Sequence, residues 1–166
     1  MVVKQLPLVF IGPMGSGKTR IGRRVAKALG ERFIDTDKSI VTEHGPISAI
    51  FEEHGEEYFR GLERRAVAEA LTAKAVISLG GGAVVDVETQ RLLEGHTVIE
   101  LTVTAEAVLA RMDTSKRPLL KNGPEAWERI YDERRAVYAR LATATFDTSS
   151  GPISRIADDI VAWVRN

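Results

Sequence analysis

The chain has 166 residues, room for one domain built around one core. Its 44% hydrophobic and 28% charged content is that of an ordinary globular protein, and 23 Lys plus Arg balance 23 Asp plus Glu, so no overall field recruits nucleic acid or an anionic membrane. The lack of Cys excludes disulfides and thiolate metal sites.

The elements follow in chain order. Residues 6–11, LPLVFI, form an apolar run that reads as a buried strand. Residues 19–29 place Ile21, Val25, Ala28 and Leu29 at helical spacing with Arg20, Arg23, Arg24 and Lys27 between them, and Gly30 stands where a helix stops. Phe33, Ile34 and Asp35 make a second strand. Residues 39–43 and 47–53 are short helices parted by Gly45-Pro46, and 56–73 is a longer amphipathic helix. Residues 75–79 are a third strand running into Gly80-Gly81-Gly82. A helix over 87–93, a strand over 97–103 and a helix over 105–112 come next. Residues 114–123 have no period. A helix over 125–141, a short strand over 145–147 and a helix over 153–164 close the chain. Strands alternating with helices predict an α/β fold with about five mostly parallel strands covered on both faces. Val9, Ile11, Ile21, Val25, Ile77, Leu79, Val98 and Leu101 are the expected core.

Residues 12–19, GPMGSGKT, satisfy G-x-x-x-x-G-K-[ST] in full. The match lies between a buried strand and an amphipathic helix, the setting in which a glycine-rich backbone turns its N–H groups onto phosphate oxygens. Gly15, Ser16, Gly17, Lys18 and Thr19 are therefore candidate nucleotide contacts. Lys18 would reach the β and γ phosphates, and the Thr19 hydroxyl would ligate magnesium. The cradle alone does not distinguish a switch, a motor and a small-molecule kinase.

Asp35 and Asp37 flank the end of the second strand, on the edge of a parallel sheet where ligands bind. Alternation there would point them in different directions, one toward magnesium and the other toward a substrate hydroxyl. A plain turn or helix cap is the competing account. Gly80, Gly81 and Gly82 suit either a backbone that must approach a ligand or a tight turn. Arg60, Arg117 and Arg134 would together supply forked donors for a carboxylate and a moving phosphoryl group. Gly61 is unusual in a helix interior. His44, His54 and His96 have no metal-ligand spacing.

The pieces GPMGSGKT, FIDTD, EEYFRGLE, SLGGGA, KRPLL and RRAVY occur in one order along the whole chain, and in this the sequence resembles the shikimate kinase family. The resemblance implies the nucleoside-monophosphate-kinase type of P-loop fold, with a five-stranded parallel sheet flanked by helices. It implies one kinase domain over 1–166, with a substrate-binding segment at about 35–63 and a lid at about 113–124. The activity implied is transfer of the ATP γ-phosphate to the 3-hydroxyl of shikimate, with Mg2+ present. Asp37, Lys18 and Arg117 are the implied catalytic residues, Arg117 being the lid arginine. Asp37, Arg60, Gly80, Gly81, Gly82 and Arg134 are the implied shikimate contacts, with Glu63 holding Arg60. Thr19 and Asp35 are the implied magnesium ligands, and Arg111 and Pro152 the implied contacts near adenine. Arg135 competes with Arg134 for the clamp, and Arg134 is chosen for its place four residues before Tyr138.

A cytoplasmic monomer acting on a small molecule, without nucleic acid or membrane, is expected. The rivals are a gluconokinase-like sugar-acid kinase on the same fold and a P-loop ATPase switch with no acceptor. No N-K-x-D stretch supports a GTPase.

Overall fold

A computed structural model describes residues 6–111 and 123–166. Its elements are β1 (Leu8–Ile11), α1 (Lys18–Leu29), β2 (Arg32–Asp35), α2 (Thr36–His44), α3 (Ile47–Ala70), β3 (Ala75–Ser78), a 3-10 turn (Ala83–Val85), α4 (Val87–Leu93), β4 (Thr97–Thr102), α5 (Ala105–Arg111), α6 (Pro124–Leu141), β5 (Ala144–Asp147) and α7 (Ile153–Arg165). The strands pair in the order β2-β3-β1-β4-β5, every pair parallel, as the alternating pattern predicts.

β1 lies at the centre, with Val9 opposite Ile77 of β3 and Val98 of β4. All four of its residues are buried, because both faces of the sheet are covered. Side-chain alternation then builds two cores. Val9 and Ile11 join Ile77, Val98, Val67, Trp127 and Tyr138 on one face. Leu8 and Phe10 join Ile21, Val25, Ile156 and Ile160 on the other, against α1 and α7. The eight expected core residues are all at most 1% exposed.

A third, smaller core of Ile40, Ile50, Phe59 and Leu62 holds α2 against α3 on both sides of Gly55. Within α3, Gly55 takes φ 86°, ψ 175°, which breaks the helical path between the two helices read from the sequence. α2 begins at Thr36, three residues before the expected start. The reason is the Asp35 carboxylate, which accepts from the N–H groups of Asp37 and Lys38 and caps the helix there. Strand alternation therefore does not set the direction of Asp37, which sits in the first turn of a helix.

Candidate active site

α1 starts at Lys18 directly after the loop from Gly12, with Gly17 at its N-cap in the left-handed region (φ 96°) and no side chain capping it. The uncapped N–H groups and the helix dipole make this end attractive to an anion. Lys18 folds over the loop, its Nζ donating to the carbonyls of Gly12 (2.7 Å) and Pro13 (3.0 Å). Thr19 Oγ1 donates to Asp35 Oδ2 at 3.3 Å, so the hydroxyl and the carboxylate expected at the metal stand side by side. The Asp35 carboxylate thus joins two elements at once: Oδ1 holds the helix, and Oδ2 meets Thr19 beside the cradle.

A cavity of about 610 Å³ opens over this loop. Gly15, Gly17, Lys18, Thr19, Asp35, Asp37, Gly80, Gly81, Gly82, Arg111 and Arg134 all line it. Residues as far apart in sequence as Met14 and Ile153 thereby share one chamber.

On the acceptor side, β3 delivers the three glycines to the end of the sheet beside β1. A Cβ on Gly80 would meet Asp37 Oδ1 at 2.6 Å. One on Gly82 would meet Arg60 Nη2 at 2.7 Å and Arg134 Nη2 at 3.2 Å. The glycine run is therefore a close-approach loop and not merely a turn. Two guanidinium groups from α3 and α6 converge on Gly82, with the Asp37 carboxylate beside Gly80.

Each of these charges is held by its surroundings. Burial raises the Asp37 pKa above the ordinary aspartate range, and neighbouring Asp35 raises it further, while Lys18 and Arg60 oppose the shift. Arg60 pairs with Glu63 at 2.7 Å and with the exposed Glu56 at 3.5 Å. Glu63 is only 2% exposed, and burial raises its pKa against the opposing bond from Arg60. The Arg60 Nε–H is buried with no hydrogen-bond partner among the described residues.

The two adjacent arginines lie in different surroundings. Arg134 lines the cavity, whereas Arg135 is 60% exposed, pairs with Asp132 at 2.9 Å and lies over the Tyr131 ring.

Other expected residues sit elsewhere. The Ser16 side chain is fully buried beneath the loop and its N–H donates to the Pro13 carbonyl. Pro152 is exposed just ahead of α7, and the next residue, Ile153, lines the cavity in its place. Arg117 lies outside the described residues. A Cβ on Gly61 would meet nothing within 4 Å, so no neighbouring segment demands that glycine. His44 and His54 each lie beside an adjacent glutamate on the surface, and among the described residues no His, Cys, Asp and Glu group forms a metal cluster.

Three residues given no site role from the sequence also tie the site together. Thr148 Oγ1 donates to the Ser16 carbonyl at 2.7 Å and accepts from Arg111 at 3.5 Å. The Trp127 indole N–H donates to the Met14 carbonyl at 2.8 Å, and the Tyr138 hydroxyl donates to the Gly81 carbonyl at 2.5 Å. Burial pushes the Tyr138 pKa up to about 12, so this hydroxyl keeps its proton at physiological pH.

A phosphate cradle facing a carboxylate and two convergent guanidinium groups defines a P-loop phosphotransferase with a site for an anionic acceptor. A shikimate kinase family model matches residues 14–165, and the chain belongs to that family. The shikimate kinase of Salinispora arenicola is 43% identical over 158 residues, which cover 93% of this chain and 95% of that protein. The structure of shikimate kinase from Acinetobacter baumannii in complex with shikimate superposes with a TM-score of 0.87 at 32% identity, covering 96% of this chain and 93% of the other. A gluconokinase from Sinorhizobium meliloti shares the fold, with a TM-score of 0.68 at 18% identity over 98% of this chain and 93% of its own.

Proposed function

We propose that Asp37, Arg60, Arg134 and the Gly80–Gly82 backbone hold shikimate while Lys18 and the P-loop hold ATP, in the ATP-dependent phosphorylation of shikimate that the family carries out. The observation that carries this assignment is the convergence of Arg60 and Arg134 on Gly82 with Asp37 beside Gly80. A shikimate carboxylate between two forked cations makes charge-assisted hydrogen bonds to both.

With the carboxylate anchored at the arginines, the 3-hydroxyl points back toward Asp37 and the cradle. Its oxygen forms the new bond to the γ-phosphorus, the bond to the bridging oxygen breaks, ADP leaves, and the hydroxyl proton passes to Asp37. A carboxylate with a raised pKa suits this task, being more basic than an exposed aspartate. Lys18 neutralises charge on the transferring group, and from the family resemblance we assign the same task to Arg117.

The Thr19 hydroxyl and Asp35 Oδ2 are hard oxygen donors 3.3 Å apart, a set that fits Mg2+, an ion bound by one or two carboxylates and substrate phosphates. We assign these two residues to hold it; when bound it supplies charge neutralisation at the phosphates. Arg111 is assigned to the purine side, where it lines the cavity; exposed Pro152 is assigned to backbone contact there. We assign acceptor binding to the segment at about 35–63, and from the family resemblance a lid to about 113–124, nearly all of which lies outside the described residues.

We assign the protein to the cytoplasm as a monomer; its balanced charge favours a small substrate met free in solution over nucleic acid or an anionic membrane. Among the described residues no helix is long and apolar enough to cross a membrane.

The test is ADP release with MgATP, comparing shikimate, gluconate, nucleoside monophosphates and no acceptor. Turnover confined to shikimate is expected. Turnover with gluconate alone would redirect the acceptor assignment, and acceptor-independent turnover would overturn it.

A further inference from the structure

Helix α6 touches both halves of the site through carbonyl groups. Trp127, in its first turns, donates its indole N–H to the Met14 carbonyl of the phosphate loop at 2.8 Å. Tyr138, near its end, donates its hydroxyl to the Gly81 carbonyl of the acceptor loop at 2.5 Å. The two are eleven residues apart, about three helical turns, with Arg134 between them, so all three lie on one stripe of the helix. Both aromatic residues are buried, Trp127 at 4% exposure and Tyr138 at 0%. The loops they hold are themselves in contact: a Cβ on Gly81 would lie 3.6 Å from the Gly12 carbonyl oxygen and from the Met14 nitrogen.

A planar trans peptide points its C=O and its N–H to opposite sides. Holding the Met14 carbonyl toward Trp127 therefore turns the Gly15 N–H away from α6. Holding the Gly81 carbonyl toward Tyr138 does the same to the N–H of Gly82, the residue whose Cβ would meet Arg60 and Arg134. Gly15 and Gly82 both line the cavity; neither aromatic side chain does. One arrangement thus recurs at two places, and each time an aromatic donor on α6 fixes the peptide whose N–H belongs to a cavity-lining glycine.

We propose that Trp127 and Tyr138 are positioning residues, Trp127 orienting the Met14–Gly15 peptide for ATP and Tyr138 orienting the Gly81–Gly82 peptide and Arg134 for the acceptor. This rests on the assignment of the two loops given above. Because one rigid helix carries both, it also sets how far apart the two loops stand, the distance the transferred phosphoryl group must cross.

Phenylalanine at each position keeps the aromatic ring and removes the donor. Trp127→Phe is expected to raise KM for ATP about tenfold and to leave KM for shikimate within about twofold. Tyr138→Phe is expected to show the reverse split, with KM for shikimate raised about tenfold. A role confined to core packing would lower Tm in both variants and move neither KM, and that result would overturn the proposal.

A second measurement keeps Trp127 intact. The chain has two tryptophans, so Trp163→Phe leaves Trp127 as the single emitter. Its emission is expected to shift on titration with MgADP, and an emission unmoved at saturation would overturn the Trp127 half even if Trp127→Phe failed to fold. Wild-type turnover with shikimate is assayed in parallel. Turnover without the KM split refutes the positioning role alone, whereas absence of shikimate turnover refutes the acceptor assignment and leaves the MgADP titration to judge Trp127.

Discussion

Asp37 lies so close to Gly80 that a single methyl group on the glycine would stand 2.6 Å from the carboxylate oxygen Oδ1, inside any tolerable contact. The acceptor loop and the proposed base therefore fit only because position 80 has no side chain. Gly80→Ala should push the Asp37 carboxylate aside and lower kcat about 100-fold, since small misplacements at the reacting centre are costly. ATP binding, measured by calorimetry, should be unaffected, because the atoms nearest a Cβ at position 80 all belong to Asp37.

Asp37 itself is held at a cost to stability. Burial and Asp35 raise its folded pKa, so the folded state binds this proton more tightly than the unfolded chain does. The stability linked to the proton is full below the ordinary value of 3.8 and is lost as pH rises through the raised pKa. At neutral pH the ionised carboxylate is therefore a burden. Asp37→Asn should abolish most turnover and raise Tm at pH 7, by about 2–4 °C for each kcal/mol relieved. The gain should shrink as pH is lowered toward 4. In the wild-type enzyme kcat should fall on the acid side along a limb above the usual aspartate range.

Glu63 holds Arg60 from beneath at 2.7 Å, and it is the more buried partner. Glu63→Gln keeps the shape and removes the charge, leaving Arg60 with the weaker, exposed Glu56. KM for shikimate should rise about five- to tenfold while KM for ATP stays put, as expected when one charged hydrogen bond to a binding residue is weakened. Initial-rate kinetics with each substrate varied in turn checks this.

Thr148 supports the cradle from the purine side through its bond to the Ser16 carbonyl. Thr148→Val preserves the volume and leaves that carbonyl without its donor, costing about 1–3 kcal/mol in stability. KM for ATP should rise and KM for shikimate should not. Thermal unfolding with and without MgADP would show the ligand-induced rise in Tm reduced in the variant.

What the sequence revealed followed the range of the physics involved. The phosphate cradle is local: eight consecutive residues bend the backbone onto a phosphate, so spacing alone exposes it. Asp35 and Asp37 were legible because a parallel sheet collects strand ends on one edge. Their relative direction was not, since it depends on the Asp35 carboxylate capping α2. The ambiguity between Arg134 and Arg135 could not be settled by period alone, as the phase of a helix is fixed by what it packs against. The roles of Thr148, Trp127 and Tyr138 left no signal because each acts on a backbone carbonyl between 57 and 132 residues distant. Any carbonyl would serve such a donor, so no partner residue type marks the pair in advance.

The small core of Ile40, Ile50, Phe59 and Leu62 has a consequence for the rhythm of the molecule. It is separate from the two cores on the sheet and has far fewer apolar members, so the segment it supports should open locally at a lower free energy than the strands. That segment carries Asp37 and Arg60, whereas Lys18 begins a helix docked on the main sheet. Amide hydrogens of α2 and of α3 from Ile47 to Leu62 should exchange well before those of β1, and added shikimate should slow them selectively. The ATP side of the site is thus founded on the slowest-breathing part of the chain and the acceptor side on one of its quickest.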